Sequence, residues 1–169
     1  PICVEDLERL QGLTKEIPKA NMPSPSALHF FRGEQCRDES VYPDVEEWWN
    51  DLLRIYQAEI RALSESGCRY LQLDEVPLAM LCDSDIRQQV GDLGADPDDL
   101  TRRYVAITNK VLEARPDDMT VGMHLCRGNF RSRWMAKGGY EPVAEHLFNG
   151  LDVDAFFLEY DSPRAGDFK

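Results

Sequence analysis

The chain has 169 residues, 43% of them apolar and 30% charged, and its 31 acidic against 19 basic side chains leave a formal net charge of −12. That is the length of one domain, able to bury a core without a disulfide framework or a structural metal. The acidic balance, with basic residues scattered along the chain, argues against a nucleic-acid or membrane-surface partner.

No run approaches the ~18 apolar residues of a membrane span and no apolar h-region opens the chain, so a cytosolic protein is expected. Five cysteines, at 3, 36, 68, 82 and 126, form an odd set without a C-x-x-C pair. That pattern suits reduced thiols better than a secreted staple or a closed zinc knuckle. The first residue is Pro1 rather than Met, and the chain stops soon after an apolar strand, so neither end reads as a native terminus.

In chain order, residues 4 to 12 predict a short helix closed by Gly12, and 17 to 22 an extended piece that breaks at Pro23-Ser24-Pro25-Ser26. From Asp44 as N-cap, apolar residues at Val45, Trp48, Trp49, Leu52, Leu53, Tyr56, Ile60 and Leu63 recur at helical spacing until Gly67. Arg69 to Leu73 then reads as a strand. Asp96-Pro97-Asp98-Asp99 opens the next helix with a carboxylate cap, proline in the first turn and acids at the positive end of the dipole. This helix runs to Arg115, where Pro116 ends it, and a strand from Thr120 to Leu125 follows. The last unit repeats the order, with a helix near 141 to 148 and a strand over 153 to 158.

Four helix-then-strand units with near-continuous apolar strands imply parallel strands covered by helices. The choice lies between an open doubly wound sheet and a (β/α)8 TIM-type barrel. No Gly-rich phosphate loop joins a strand to a helix, which weakens the dinucleotide-binding form of the open sheet. Each strand instead ends in small polar or reactive residues: Ser24 and Ser26, Asp74 and Glu75, His124 and Cys126, Glu159 and Asp161. Catalytic groups drawn from several strand ends are the habit of barrels. Residues 1–169 are therefore expected to be about half of a (β/α)8 catalytic domain, with further barrel units upstream and downstream.

His124-Leu125-Cys126 is the sharpest local feature. Residues two apart on a strand share a face, so an imidazole and a thiolate can grip one metal ion. The other reading is a core cysteine beside a satisfied histidine. Glu159, one strand later, offers an oxygen ligand, and an incomplete His/Cys/Glu set is what an open, reactive zinc site requires. Asp74-Glu75 suits an ammonium anchor or proton handling, or equally a capping or solvated acid pair. Ser24 and Ser26 sit at a strand end as substrate-binding candidates, although the stiff turn alone reads as structural. The run Arg127 to Arg131 could offer N–H groups and guanidinium to a carboxylate or phosphate, although surface arginines are common. Trp48 and Trp49 read as core and rim, and His29 and His146 have no assigned role.

The ordered set Leu71-Gln72-Leu73-Asp74-Glu75, His124-Leu125-Cys126 and Phe157-Leu158-Glu159-Tyr160-Asp161 resembles the catalytic domain of cobalamin-independent methionine synthases and their single-domain relatives. The resemblance covers nearly the whole chain. It implies a (β/α)8 barrel with Zn2+ held by His124, Cys126 and Glu159, and Asp74 as the acid that receives the amino group of homocysteine. The implied reaction moves a methyl group from a methyltetrahydrofolate-type donor to the homocysteine thiol. No cysteine follows Glu159 to serve as the family's fourth ligand, the family's early G-S and D-G-E type segments are missing, and Phe30-Phe31 stands where folate-using enzymes carry a stacking tryptophan. The general acid and the oligomeric state are not legible here. Two other readings stay open: a zinc-dependent transferase joining a thiol cofactor to an epoxide, and a non-catalytic zinc-binding barrel segment.

Overall fold

The computed structural model describes residues 1–167. Helix α1 (Val4–Gln11) leads into strand β1 (Ala20–Pro23), and the short helix α2 (Pro25–Phe30) with a 3-10 turn at Gly33–Cys36 precedes the long helix α3 (Val45–Glu65). Strand β2 (Tyr70–Asp74) is followed by α4 (Pro77–Met80), α5 (Ser84–Asp92) and α6 (Pro97–Leu112). Strand β3 (Thr120–Leu125) runs into a small hairpin of β4 (Asn129–Phe130) and β5 (Arg133–Trp134), and α7 (Ala144–Gly150) leads to β6 (Ala155–Leu158).

The two strongest helix starts form as their caps dictate. The Asp44 carboxylate accepts from the Glu46 N–H, and that of Asp96 accepts from the N–H groups of Asp98 and Asp99. The last helix begins at Ala144 rather than near 141, because residues 141 to 143 form a turn ahead of it.

The four long strands are parallel and ordered β1-β2-β3-β6. Strand order follows chain order, which is how a barrel wall is built; a doubly wound sheet reverses order at a switch point. Among the described residues the sheet is open, with β1 and β6 as its edges, and no barrel closes. Helix α6 packs on α3 and α7, and α1 packs on α3.

The strands alternate between a helix-covered face and an open one. Leu71, Leu73, Val121, Met123 and Leu125 join Ile60, Leu63, Val111 and Leu147 in one continuous core, each such side chain contributing on the order of 1.5–3 kcal/mol by leaving water. Tyr70, Gln72, Asp74 and His124 take the other face and are half-buried. Gly122 lies on that face too: a Cβ there would stand 2.5 Å from Cε2 of Phe157, so the missing side chain is what lets the Phe157 ring lie across β3. All five cysteines are free thiols, and burial pushes that of Cys82 up to about 12. No helix among the described residues is long and apolar enough to cross a membrane.

Candidate active site

The candidate site lies at the C-terminal ends of β2, β3 and β6. In the β2–β3 ladder Asp74 pairs with His124, and in the β3–β6 ladder His124 pairs with Phe157. Continuing both strands brings Cys126 beside Glu159. His124, Cys126 and Glu159 line one open cleft of about 690 Å³, with Asn129 and Phe157 among its walls. The three residues thus line one rim, with His124 and Cys126 on the same face by strand alternation.

The ring of His124 and the thiol of Cys126 are half-buried and make no hydrogen bond among the described residues. Glu159 is held on every side. Its N–H donates to Leu125 O (3.4 Å) and to the Tyr140 hydroxyl (3.2 Å), and its carbonyl accepts from Arg127 Nη1 (2.6 Å). Its Oε2 accepts from the Arg127 N–H (3.0 Å) and its Oε1 from Arg164 Nη1 (3.1 Å). No three His, Cys, Asp or Glu side chains among the described residues stand together as a metal cluster. Two unpartnered soft donors and a carboxylate in one cleft fit a soft divalent cation such as zinc in donor chemistry. Glu159 is turned toward arginine in this arrangement.

Asp74 shares the open face with His124. Its Oδ2 accepts from Asn21 Nδ2 (2.9 Å) and its Oδ1 from Gln72 Nε2 (2.7 Å), so two neutral amides aim the carboxylate and leave its charge uncompensated by them. Glu75, the next residue, points the opposite way and is fully buried. Ser26 Oγ donates to Glu75 Oε2 (2.6 Å), Ser24 and Ser26 share a 2.7 Å hydrogen bond, and Leu78 N–H donates to Glu75 Oε1 (2.9 Å). Burial pushes the Glu75 carboxyl above its ordinary value, against the pull of these donors. Ser24 and Ser26 are wholly buried in this network and are not among the residues lining the cleft. The paired acids therefore split: Asp74 belongs to the open face and Glu75 to the interior.

The guanidinium of Arg127, in the Arg127 to Arg131 run, is neither a surface group nor part of the cleft lining. It is fully buried, donating to Gly138 O, the Tyr140 hydroxyl, Glu159 O and Ala165 O while lying 4.2 Å from the Tyr140 ring centroid. Arg164, unmarked by any motif, is its counterpart at the far side of Glu159. Hydrogen bonds from Arg127 to Ala165 O and from Arg164 to Gly128 O and Asn129 Oδ1 tie the 159–166 segment to the loop after β3. Phe31, at the C-cap of α2, is exposed, whereas His29 is buried with Nδ1 2.8 Å from the Tyr104 hydroxyl. Trp49 is core and Trp48 packs beside it, as expected.

An open parallel α/β sheet with an imidazole, a thiol and a carboxylate at adjoining strand ends is the class of site present. No family model matches the chain. It is 44% identical over 151 residues to the uncharacterized protein YxjH of Bacillus subtilis (strain 168), covering 89% of this chain and 39% of that protein. It is 28% identical over 168 residues to a protein named methionine synthase from Pyrococcus abyssi (strain GE5 / Orsay), covering 99% of this chain and 40% of that one. Among solved structures, that of a candidate vitamin-B12-independent methionine synthase from Listeria monocytogenes superposes with a TM-score of 0.74 at 33% identity, covering 97% of this chain and 49% of that chain. The chain spans about two-fifths of the length of these curated relatives. These similarities support the methionine synthase resemblance.

Proposed function

We propose that the chain is about half of a (β/α)8 barrel, and that it carries most of the metal site of a zinc-dependent thiol methyltransferase that makes methionine from homocysteine. The observation behind this reading is the meeting of His124, Cys126 and Glu159 in one cleft beside Asp74. The similarity to proteins named methionine synthase supports it. His124, Cys126 and Glu159 would hold the ion, with further ligation from outside this chain.

Free alkyl thiols are mostly protonated at neutral pH. Bound zinc supplies an open position at which a thiol loses its proton and stays nucleophilic. The residues of this chain orient that thiol. Asp74, aimed by Asn21 and Gln72, takes the ammonium of the amino-acid acceptor. Phe157 walls the cleft next to His124 and keeps water from one side. Arg127 pins the backbone of Glu159 at the rim of the cleft. In the reaction the acceptor sulfur forms a bond to the methyl carbon as the methyl–nitrogen bond of a folate-type donor breaks, and the departing amine takes up a proton. Reduced thiols are in keeping with a cytoplasmic setting.

The test is metal analysis of the full-length protein, followed by cobalt(II) substitution and addition of homocysteine. A change in the cobalt spectrum on adding the thiol is expected. A spectrum indifferent to thiol identifies a closed, structural site and removes the reading.

A further inference from the structure

The side chain of Arg164 is only 7% exposed and is fixed by more than its carboxylate partner. Its Nε donates to Ala136 O (3.1 Å), its Nη1 to Asn129 Oδ1 (3.1 Å) and its Nη2 to Gly128 O, and the Trp134 ring centroid lies 5.3 Å from its guanidinium carbon. These contacts keep the guanidinium in place whether or not Glu159 stays on it. Glu159 is the one carboxylate that Arg164 hydrogen-bonds among the described residues. The backbone of Glu159 is pinned by Leu125, Tyr140 and Arg127, while its carboxylate is shared between the Arg127 N–H on Oε2 and Arg164 on Oε1, so Arg164 is the one charged group that restrains it among the described residues.

We propose that Arg164 is a latch on the cleft, holding the Glu159 carboxylate away from His124 and Cys126 so that an entering metal ion meets a two-donor site and gains its third ligand only by drawing Glu159 off the guanidinium. The inference rests on the metal reading above, and deepens it. A buried guanidinium left with neutral acceptors alone loses its strongest partner. That loss is set against the gain from the new metal–oxygen bond. Arg164 thereby acts as a positioning residue that tunes the cleft's affinity and the order in which ligands engage.

The experiment is cobalt(II) binding to the metal-free full-length protein, by absorption and by competition with a chelator, in a double-mutant cycle of Arg164→Gln and Glu159→Gln. The glutamine keeps an amide donor for the loop carbonyls but removes the charge. The latch predicts that Arg164→Gln tightens cobalt binding at least about tenfold, the equivalent of one charged hydrogen bond. It also predicts that Glu159→Gln weakens binding more in the Arg164→Gln background than in the wild type. Unchanged or weaker binding by Arg164→Gln overturns the latch and makes Arg164 a loop staple or a support for the ligand.

Should Arg164→Gln fail to fold, Glu159→Gln alone decides. A loss under about threefold in the wild-type background supports the latch, and a loss of about tenfold or more, as for an unrestrained ligand, overturns it. Cobalt binding indifferent to His124→Ala, or no binding by any variant, overturns the metal reading and the latch together. A large Glu159 effect with intact His124 dependence removes the latch alone.

Discussion

Asp74 on β2 stands directly opposite His124 on β3 in a parallel ladder, and both side chains take the open face of the sheet. A carboxylate carrying no guanidinium or ammonium partner among its hydrogen bonds therefore lies one strand from a ring that makes no hydrogen bond of its own among the described residues. On the proposed reading, an amino-acid thiol would span this gap, with its ammonium at one strand and its sulfur at the next. Tying the two ends to separate strands fixes the distance between them, since neighbouring strands lie about 4.8 Å apart.

Asp74→Asn is expected to weaken homocysteine binding by roughly 1.5–3 kcal/mol, the range for a charged hydrogen bond. A thiol without an amino group is expected to bind both proteins alike, and zinc content to stay constant. Titration of the two thiols against both proteins checks this. Equal losses for both thiols would remove Asp74 from the substrate site.

Cys126→Ser replaces a soft, acidic donor by a hard one that stays protonated. The variant is expected to lose most of its zinc and nearly all turnover. Because the thiol makes no hydrogen bond among the described residues, the stability of the metal-free variant is expected to stay within about 0.5 kcal/mol of the metal-free wild type. Metal content, rate and urea unfolding measured together separate a ligand from a packing residue; unaltered metal and rate would assign Cys126 to packing.

Arg127→Met leaves the carbonyls of Gly138, Glu159 and Ala165, buried or partly so, without the guanidinium donor, while the Tyr140 hydroxyl keeps Leu125 O and the Glu159 N–H. Each unsatisfied buried group costs about 1–3 kcal/mol, so a total loss of at least ~3 kcal/mol is expected in urea unfolding. Arg127→Lys is expected to recover little of it, since one ammonium cannot reproduce a planar fork that reaches four oxygens. Full rescue by lysine would mean that the charge matters there, and the fork does not.

Glu75 provides a pH signature. Burial raises its carboxyl in the folded protein, so above the unfolded value of about 4.3 the folded state binds the proton more tightly than the unfolded one. Stability is then favoured at low pH by this group and declines as pH rises from about 4.3 through the raised folded value, levelling off above it. Glu75→Gln removes the titration while keeping an oxygen for the Leu78 N–H. The variant is expected to gain stability relative to wild type as pH rises through that window. Parallel stability curves across it would show that the donors from Ser26 and Leu78 cancel the burial.

Much of the fold was legible in the sequence because its signals are local. The Asp44 and Asp96 caps act within three residues, the apolar stripe of α3 repeats within a turn, and strand alternation alone puts His124 and Cys126 on one face. Helix α5 carries only a thin apolar stripe, Ile86, Val90 and the C-cap Leu93, and buries none of its residues fully, although Asp83 caps it. The hairpin after β3 was equally hidden, for its turn places Arg131 and Ser132 at positive φ, where glycine or asparagine would have marked it.

Only the tertiary structure decided which way the polar groups turn. Ser24 and Ser26 face inward because Glu75, 49 residues beyond Ser26, lies behind them. Arg127 is spent on carbonyls up to 38 residues away, and Glu159 rests on a guanidinium that no spacing rule connects to a cleft. A cap or a stripe is determined by neighbours along the chain, and so it is written in the sequence. The partner of a buried charge is chosen by whatever the packed strands and loops bring within hydrogen-bond reach, and that choice exists only once the sheet has formed.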